Sequence, residues 1–85
     1  MSTGDTAAAA WSRAWTIAEG LVRTGRASVP VTIEGYIWLQ GAHDERYWVS
    51  FDGKRVLRGP DMQTAEPLQP GFVERMARAG AAAPR

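Results

Sequence analysis

Eighty-five residues carry 10 Lys+Arg against 9 Asp+Glu, for a formal net charge of +1 and no cysteine. A chain this short makes one domain with a thin core, burying roughly 60–65% of its unfolded surface. The balanced charge lacks the basic excess of a general phosphate-backbone binder, and the missing cysteines remove disulfides, thiolate metal sites and cysteine nucleophiles together.

Hydrophobic residues at 45% and charged residues at 22% belong to a globular domain rather than a disordered one. Lys54 is the one lysine, and the other basic residues are arginine. No basic stretch followed by a long apolar run opens the chain, and no apolar run reaches the length of a membrane span. The expected location is the cytoplasm, without membrane contact.

In chain order, residues 1–5 read as a flexible leader, 6–80 as one α+β domain and 81–85 as a flexible tail. Asp5 and Thr6 are candidate N-caps for a first helix. Trp11, Ala14, Trp15, Ala18, Leu21 and Val22 recur at three- and four-residue steps, which places them on one helical face. Trp11 and Trp15 are the expected anchors of that helix. Gly25 stands where a left-handed C′ residue would end it, and Gly20 is a weak point within it.

Val29 to Gln40 reads as a strand bent at Gly35. Gly41 to Glu45 is a turn, Arg46 to Phe51 a second strand and Lys54 to Arg58 a third. Asp52-Gly53 between the last two predicts a two-residue type I′ hairpin. Gly59-Pro60-Asp61 breaks the sheet, and Met62 to Leu68 has room for one helical turn. Pro70 suits a helix first turn. Phe72, Val73, Met76 and Ala77 give a short amphipathic helix with Gly80 at its end. The expectation is a single small α+β domain, ordered αβββα, with a three-stranded antiparallel meander packed by two helices.

The hairpins predict a register. A loop at Asp52-Gly53 sets Phe51 opposite Lys54, Val49 opposite Val56 and Trp48 opposite Leu57. A five-residue loop sets Gln40 opposite Arg46, Trp38 opposite Trp48 and Ile37 opposite Val49. Directly opposite residues share a face. One face then holds Ile37, Leu39, Tyr47, Val49, Phe51 and Val56, as a core should. The other holds Tyr36, Trp38, Trp48, Ser50, Arg55 and Leu57. A one-residue slip would mix the two sets.

The second face is too aromatic to stand in water. Three large rings approach the roughly 300–600 Å² of the largest apolar patch on a typical monomer. Three covers are open: a helix on each side of the sheet, another protein chain such as a second copy, or nucleic acid stacked on the rings beside Arg55 and Arg58.

Little else suggests chemistry. His43, the one histidine, lies beside Asp44 and Glu45 on a turn and reads as solvated. A metal site needs further ligands of the right kind. Ser50 has no nucleophile-elbow pattern around it, and no glycine-rich phosphate loop is present. Lys54, Arg55 and Arg58 read as charges protecting an edge strand. The αβββα order resembles that of the double-stranded RNA-binding domain. Where that family opens its last helix with lysines, this chain has Pro70-Gly71-Phe72-Val73. Tyr47 to Asp52, followed by Val56 and Gly59, is similar to the strand region of HicB-like antitoxins. Neither resemblance assigns a family.

The expected function is therefore non-catalytic, with no cofactor and no metal: a small binding or assembly module. Its partner is protein, including itself as a homodimer, met through Tyr36, Trp38, Trp48, Arg55 and Leu57. The alternative is a nucleic-acid-binding domain using the same face with Arg55 and Arg58.

Overall fold

The computed structural model describes residues 3–81, with side chains from Ala8 onward except that of Val29. The elements are α1 (Thr3–Arg23), β1 (Ser28–Ile33), β2 (Tyr36–Gln40), β3 (Arg46–Ser50), β4 (Val56–Gly59), β5 (Glu66–Pro67) and α2 (Pro70–Ala81). The five strands form one antiparallel sheet in the order β1-β2-β3-β4-β5. The α+β class and the helix–strands–helix order agree with expectation, while the sheet gains a strand at each edge.

The first addition comes from Gly35. Its φ of +76° lets Glu34-Gly35 close a hairpin, so Ile33 pairs with Tyr36 and the expected single strand becomes β1 and β2. A positive φ at the second central position alone is the type II pattern, which favours glycine there. The second addition is β5, in place of the expected helical turn. Asp61 Oδ1 accepts from the Thr64 backbone N–H at 2.9 Å and from its hydroxyl at 3.0 Å. That turn sends the chain back along β4, with Glu66 opposite Arg58.

α1 begins at Thr3, ahead of the expected caps Asp5 and Thr6. Its C-terminus ends as predicted. Gly25 has φ +77°, Arg26 N–H bonds to the Leu21 carbonyl and Gly25 N–H to that of Val22, which is the Schellman pairing. α2 starts at Pro70, where a missing N–H costs nothing. It runs through Gly80 to Ala81 rather than stopping at the glycine. Residues 82–85 of the expected tail, like Met1 and Ser2 of the leader, lie outside the described residues.

Both helices sit on one side of the sheet. Ala14, Ile17, Ala18 and Leu21 of α1 and Val73, Met76 and Ala77 of α2 join Ile37, Leu39, Tyr47, Val49 and Val56 in a single core. The two helices run antiparallel at very close range. A Cβ on Gly20 would lie 1.9 Å from the Met76 carbonyl oxygen, and one on Gly80 would lie 1.9 Å from that of Thr16. Arg13 on α1 bonds to Glu74 on α2 at 2.8 Å.

The expected aromatic anchors of α1 sit at its flank instead. Trp15 is half-buried against the core, and Trp11 is 37% exposed. Closely packed backbones leave room for alanine and aliphatic side chains beneath α1, and indoles are displaced sideways. Phe51, expected in the core, is 38% exposed and meets the Trp11 ring edge-on at 4.5 Å between centroids.

Candidate functional site

The register across β2, β3 and β4 is the expected one: Trp38 opposite Trp48, Ile37 opposite Val49, Trp48 opposite Leu57 and Val49 opposite Val56. The turn that sets it differs. Only Gly53 has positive φ there, so the two-residue type I′ turn, which needs positive φ at both positions, does not form. Phe51 does not pair with Lys54. Ser50 N–H bonds instead to the Arg55 carbonyl at 2.9 Å, and residues 51–54 form a four-residue loop. Two- and four-residue loops close on the same alternation, so the two faces survive the change of turn.

Side-chain chemistry explains the longer loop. Asp52 Oδ1 accepts from the Ser50 hydroxyl and from the Lys54 N–H. Arg55 N–H in turn donates to Ser50 Oγ at 3.0 Å. These bonds hold Asp52 below the ordinary carboxylate pKa; the Ser50 hydroxyl contributes most, followed by the Lys54 N–H.

Away from the helices, pairing aligns one apolar residue from every strand: Val31, Trp38, Trp48, Leu57 and Pro67. This row crosses the full width of the sheet. A second row holds Ile33, Tyr36 and Ser50, with Arg55 bonded to Ser50 at its end. The third holds Gln40, Arg46 and Gly59. Tyr36, Trp38, Trp48, Arg55 and Leu57, the residues singled out from sequence, therefore share one face. Both described helices belong to the opposite side, while the turn after β4 reaches this face at the Pro60 carbonyl, which accepts from Arg46. Arg58 does not join them. It faces the helix side opposite Tyr47 and lies 3.9 Å from the Glu45 carboxylate.

The exposure of this face is uneven. Trp48, flanked by Trp38 and Leu57, is only 7% exposed, whereas Val31 and Ile33 at the β1 edge are 43% and 47% exposed. Arg46 holds its guanidinium 5.7 Å from the centre of the Trp38 ring and donates to the Pro60 carbonyl at 2.6 Å. The ring's negative face attracts such a cation. Sequence reading missed four contributors, among them Pro67 of β5, a strand that reads from sequence as a helical turn. Val31 and Ile33 were concealed because β1 and β2 read as one strand, which hides what folds over Tyr36 and Trp38. Arg46 was visible two residues before Trp48, on the same alternation.

His43 is exposed at the β2–β3 turn with φ 57°. Among the described residues no group of three or more His, Cys, Asp or Glu could hold a metal ion, and no helix is long and apolar enough to cross a membrane. Comparison with protein-family models, with curated proteins and with solved structures finds no match.

Proposed function

We propose that the chain is a non-catalytic assembly module that pairs with a second copy through the face built on the row Val31, Trp38, Trp48, Leu57 and Pro67. The observation that carries this reading is the continuity of the row. It runs from edge to edge of the sheet, while both helices pack on the other side.

The size of the face fits a weak pair. Five strands about 4.8 Å apart, of 6, 5, 5, 4 and 2 residues at about 3.3 Å each, make a patch of about 350 Å² in plan. A twofold pair covers it twice, and the relief of the side chains raises the accessible area above the plan area. The total lies below the roughly 1,200 Å² at which stable interfaces begin, in the range of weak, transient contacts. A dissociation constant in the micromolar range is the expected result, because Trp48 is already covered within one chain and adds little. A net charge of +1 sets no strong barrier between copies.

Nucleic acid is the second reading, favoured by Arg46 and Arg55 on a face whose paired positions carry no carboxylate. Stacking needs free ring faces. Trp48 is buried, Arg46 already lies against Trp38, and Arg58 is on the far side. The exposed area is instead aliphatic, at Val31 and Ile33.

The test is the solution mass of Trp38→Glu and Val31→Glu, each read with circular dichroism. Both variants are expected to be folded monomers under conditions where the parent chain is a dimer. Folded variants that still dimerise would overturn the reading, as would a monomeric parent chain that binds a labelled oligonucleotide in a salt-dependent way.

A further inference from the structure

The backbone groups that point out from the edge of a sheet decide whether another strand can add to it. Here β5 covers β4, so the edges are β1 and β5, and the charges of Lys54, Arg55 and Arg58 guard neither. β1 holds no charged residue, and its Val31 and Ile33 are exposed. An uncharged apolar edge of this kind invites pairing with a second chain.

Hydrogen-bond alternation shows what β1 offers. The Phe51 N–H bonds to the Gly35 carbonyl and the Gly41 N–H to the Glu45 carbonyl, at the two ends of the β2–β3 pair. Tyr36 and Trp38 therefore turn their own N–H and C=O groups away from β3, toward β1. Their partners Ile33 and Val31 turn the same groups inward, and Thr32, opposite Ile37, turns its groups outward. Two residues back, the next outward position is Pro30, which has no N–H. The register then shifts between Ser28 and Val31. Residues 30–33 thus present one outward N–H, that of Thr32.

The other edge follows the same rule. The Ser50 N–H bonds to the Arg55 carbonyl and the Leu68 N–H to the Val56 carbonyl. On β4, Val56 and Arg58 therefore face β5, while Leu57 faces β3. Glu66, opposite Arg58, turns toward β4, and Pro67, opposite Leu57, turns outward. Each edge strand carries a proline at an outward position, where the missing donor leaves no ladder bond unmade.

Resting on the self-association proposed above, we infer that Pro30 and Pro67 close both edges of the sheet to strand addition, so that copies join through the face alone and assembly ends at two. A chain with one self-complementary face makes a closed pair. A chain with that face and an open edge makes two kinds of contact and grows without closing.

The guard is tested at Pro30, in the longer of the two edge strands. Pro30→Val restores an outward N–H two residues from that of Thr32. It also keeps an apolar side chain in the recess that Pro30 borders with Val22, Glu19 and Arg23. Pro30→Ala restores the N–H without that side chain, which separates the two effects. Sedimentation velocity from micromolar to millimolar concentration reads the result, and circular dichroism establishes the fold. Both variants should pass beyond twice the chain mass where the parent levels at two copies. Adding Thr32→Pro to Pro30→Val removes the other outward N–H and should return the parent's behaviour. Combined with Trp38→Glu, which disables the face, Pro30→Val should associate only as far as a pair joined through β1, because Pro67 still closes β5. Folded Pro30 variants that stop at two copies, and that stay single once Trp38→Glu is added, would overturn the edge inference and leave the face reading standing. A monomeric parent whose Pro30→Val variant forms pairs would overturn the face reading and the limit it sets, while the closing role of Pro30 stands. A parent and variants that are all monomeric would overturn both.

Discussion

Two constraints meet at Gly53. Its φ is +70°, and a Cβ there would lie 2.9 Å from the Arg13 Cγ and 3.2 Å from the Ala10 carbonyl oxygen. Its own carbonyl accepts from Arg13 Nε at 3.0 Å, which ties the hairpin loop to α1. Gly53→Val is expected to destabilise the fold by about 1–3 kcal/mol through the backbone alone. Gly53→Asn should cost less, because asparagine tolerates the left-handed region; urea denaturation of the two variants checks the order. Neighbouring Asp52 gives a pH dependence. Its pKa is lowered in the fold from the ordinary 3.8, so the unfolded chain binds the proton more readily. The stabilisation is present above pH 3.8 and is lost as pH falls through the lowered folded value. Asp52→Asn should flatten this part of an acid unfolding curve, and an unchanged slope would show that the Ser50 and Lys54 bonds do not act through the charge.

At the scale of elements, the helix pair is organised by glycines. In an isolated helix, glycine to alanine gains about 1 kcal/mol. At Gly80 the sign should invert, because the added methyl group would meet the Thr16 carbonyl and push α2 away from α1. Gly80→Ala is expected to lower stability by about 1–3 kcal/mol, as overpacking does, and thermal unfolding reads the sign directly. Along α1, Leu21→Ala should cost about 2–5 kcal/mol because Leu21 is fully buried. Trp11→Ala should cost clearly less, since Trp11 packs beside Phe51 and Trp15 at the surface. The period of α1, its Gly25 ending and the pairing of β2, β3 and β4 were legible because each rests on local chemistry or on alternation. The glycine crossing was not, since a glycine within a helix reads as a weakness until the partner helix is in place. The indole positions were not legible either, because helical spacing gives the buried face but not how closely another backbone approaches it. The split of β1 from β2 hung on Gly35 beside Glu34, a pair that carries a weaker turn signal than Asp-Gly.

For the molecule as a whole, one side of the sheet holds the core and the other presents a row of apolar residues from all five strands. Tyr36, Trp38, Trp48, Arg55 and Leu57 could be placed on that side from alternation alone. What lay over it could not, because helix placement depends on contacts between segments far apart in the chain. With both helices on the opposite side, the account turns on whether this face associates. Sedimentation equilibrium of the unmodified chain, from micromolar to millimolar concentration, tests it most directly. The chain has a mass of 9.3 kDa. The account predicts a weight-average mass that rises with concentration and levels at twice that value. A mass that stays at one chain across the range would contradict it.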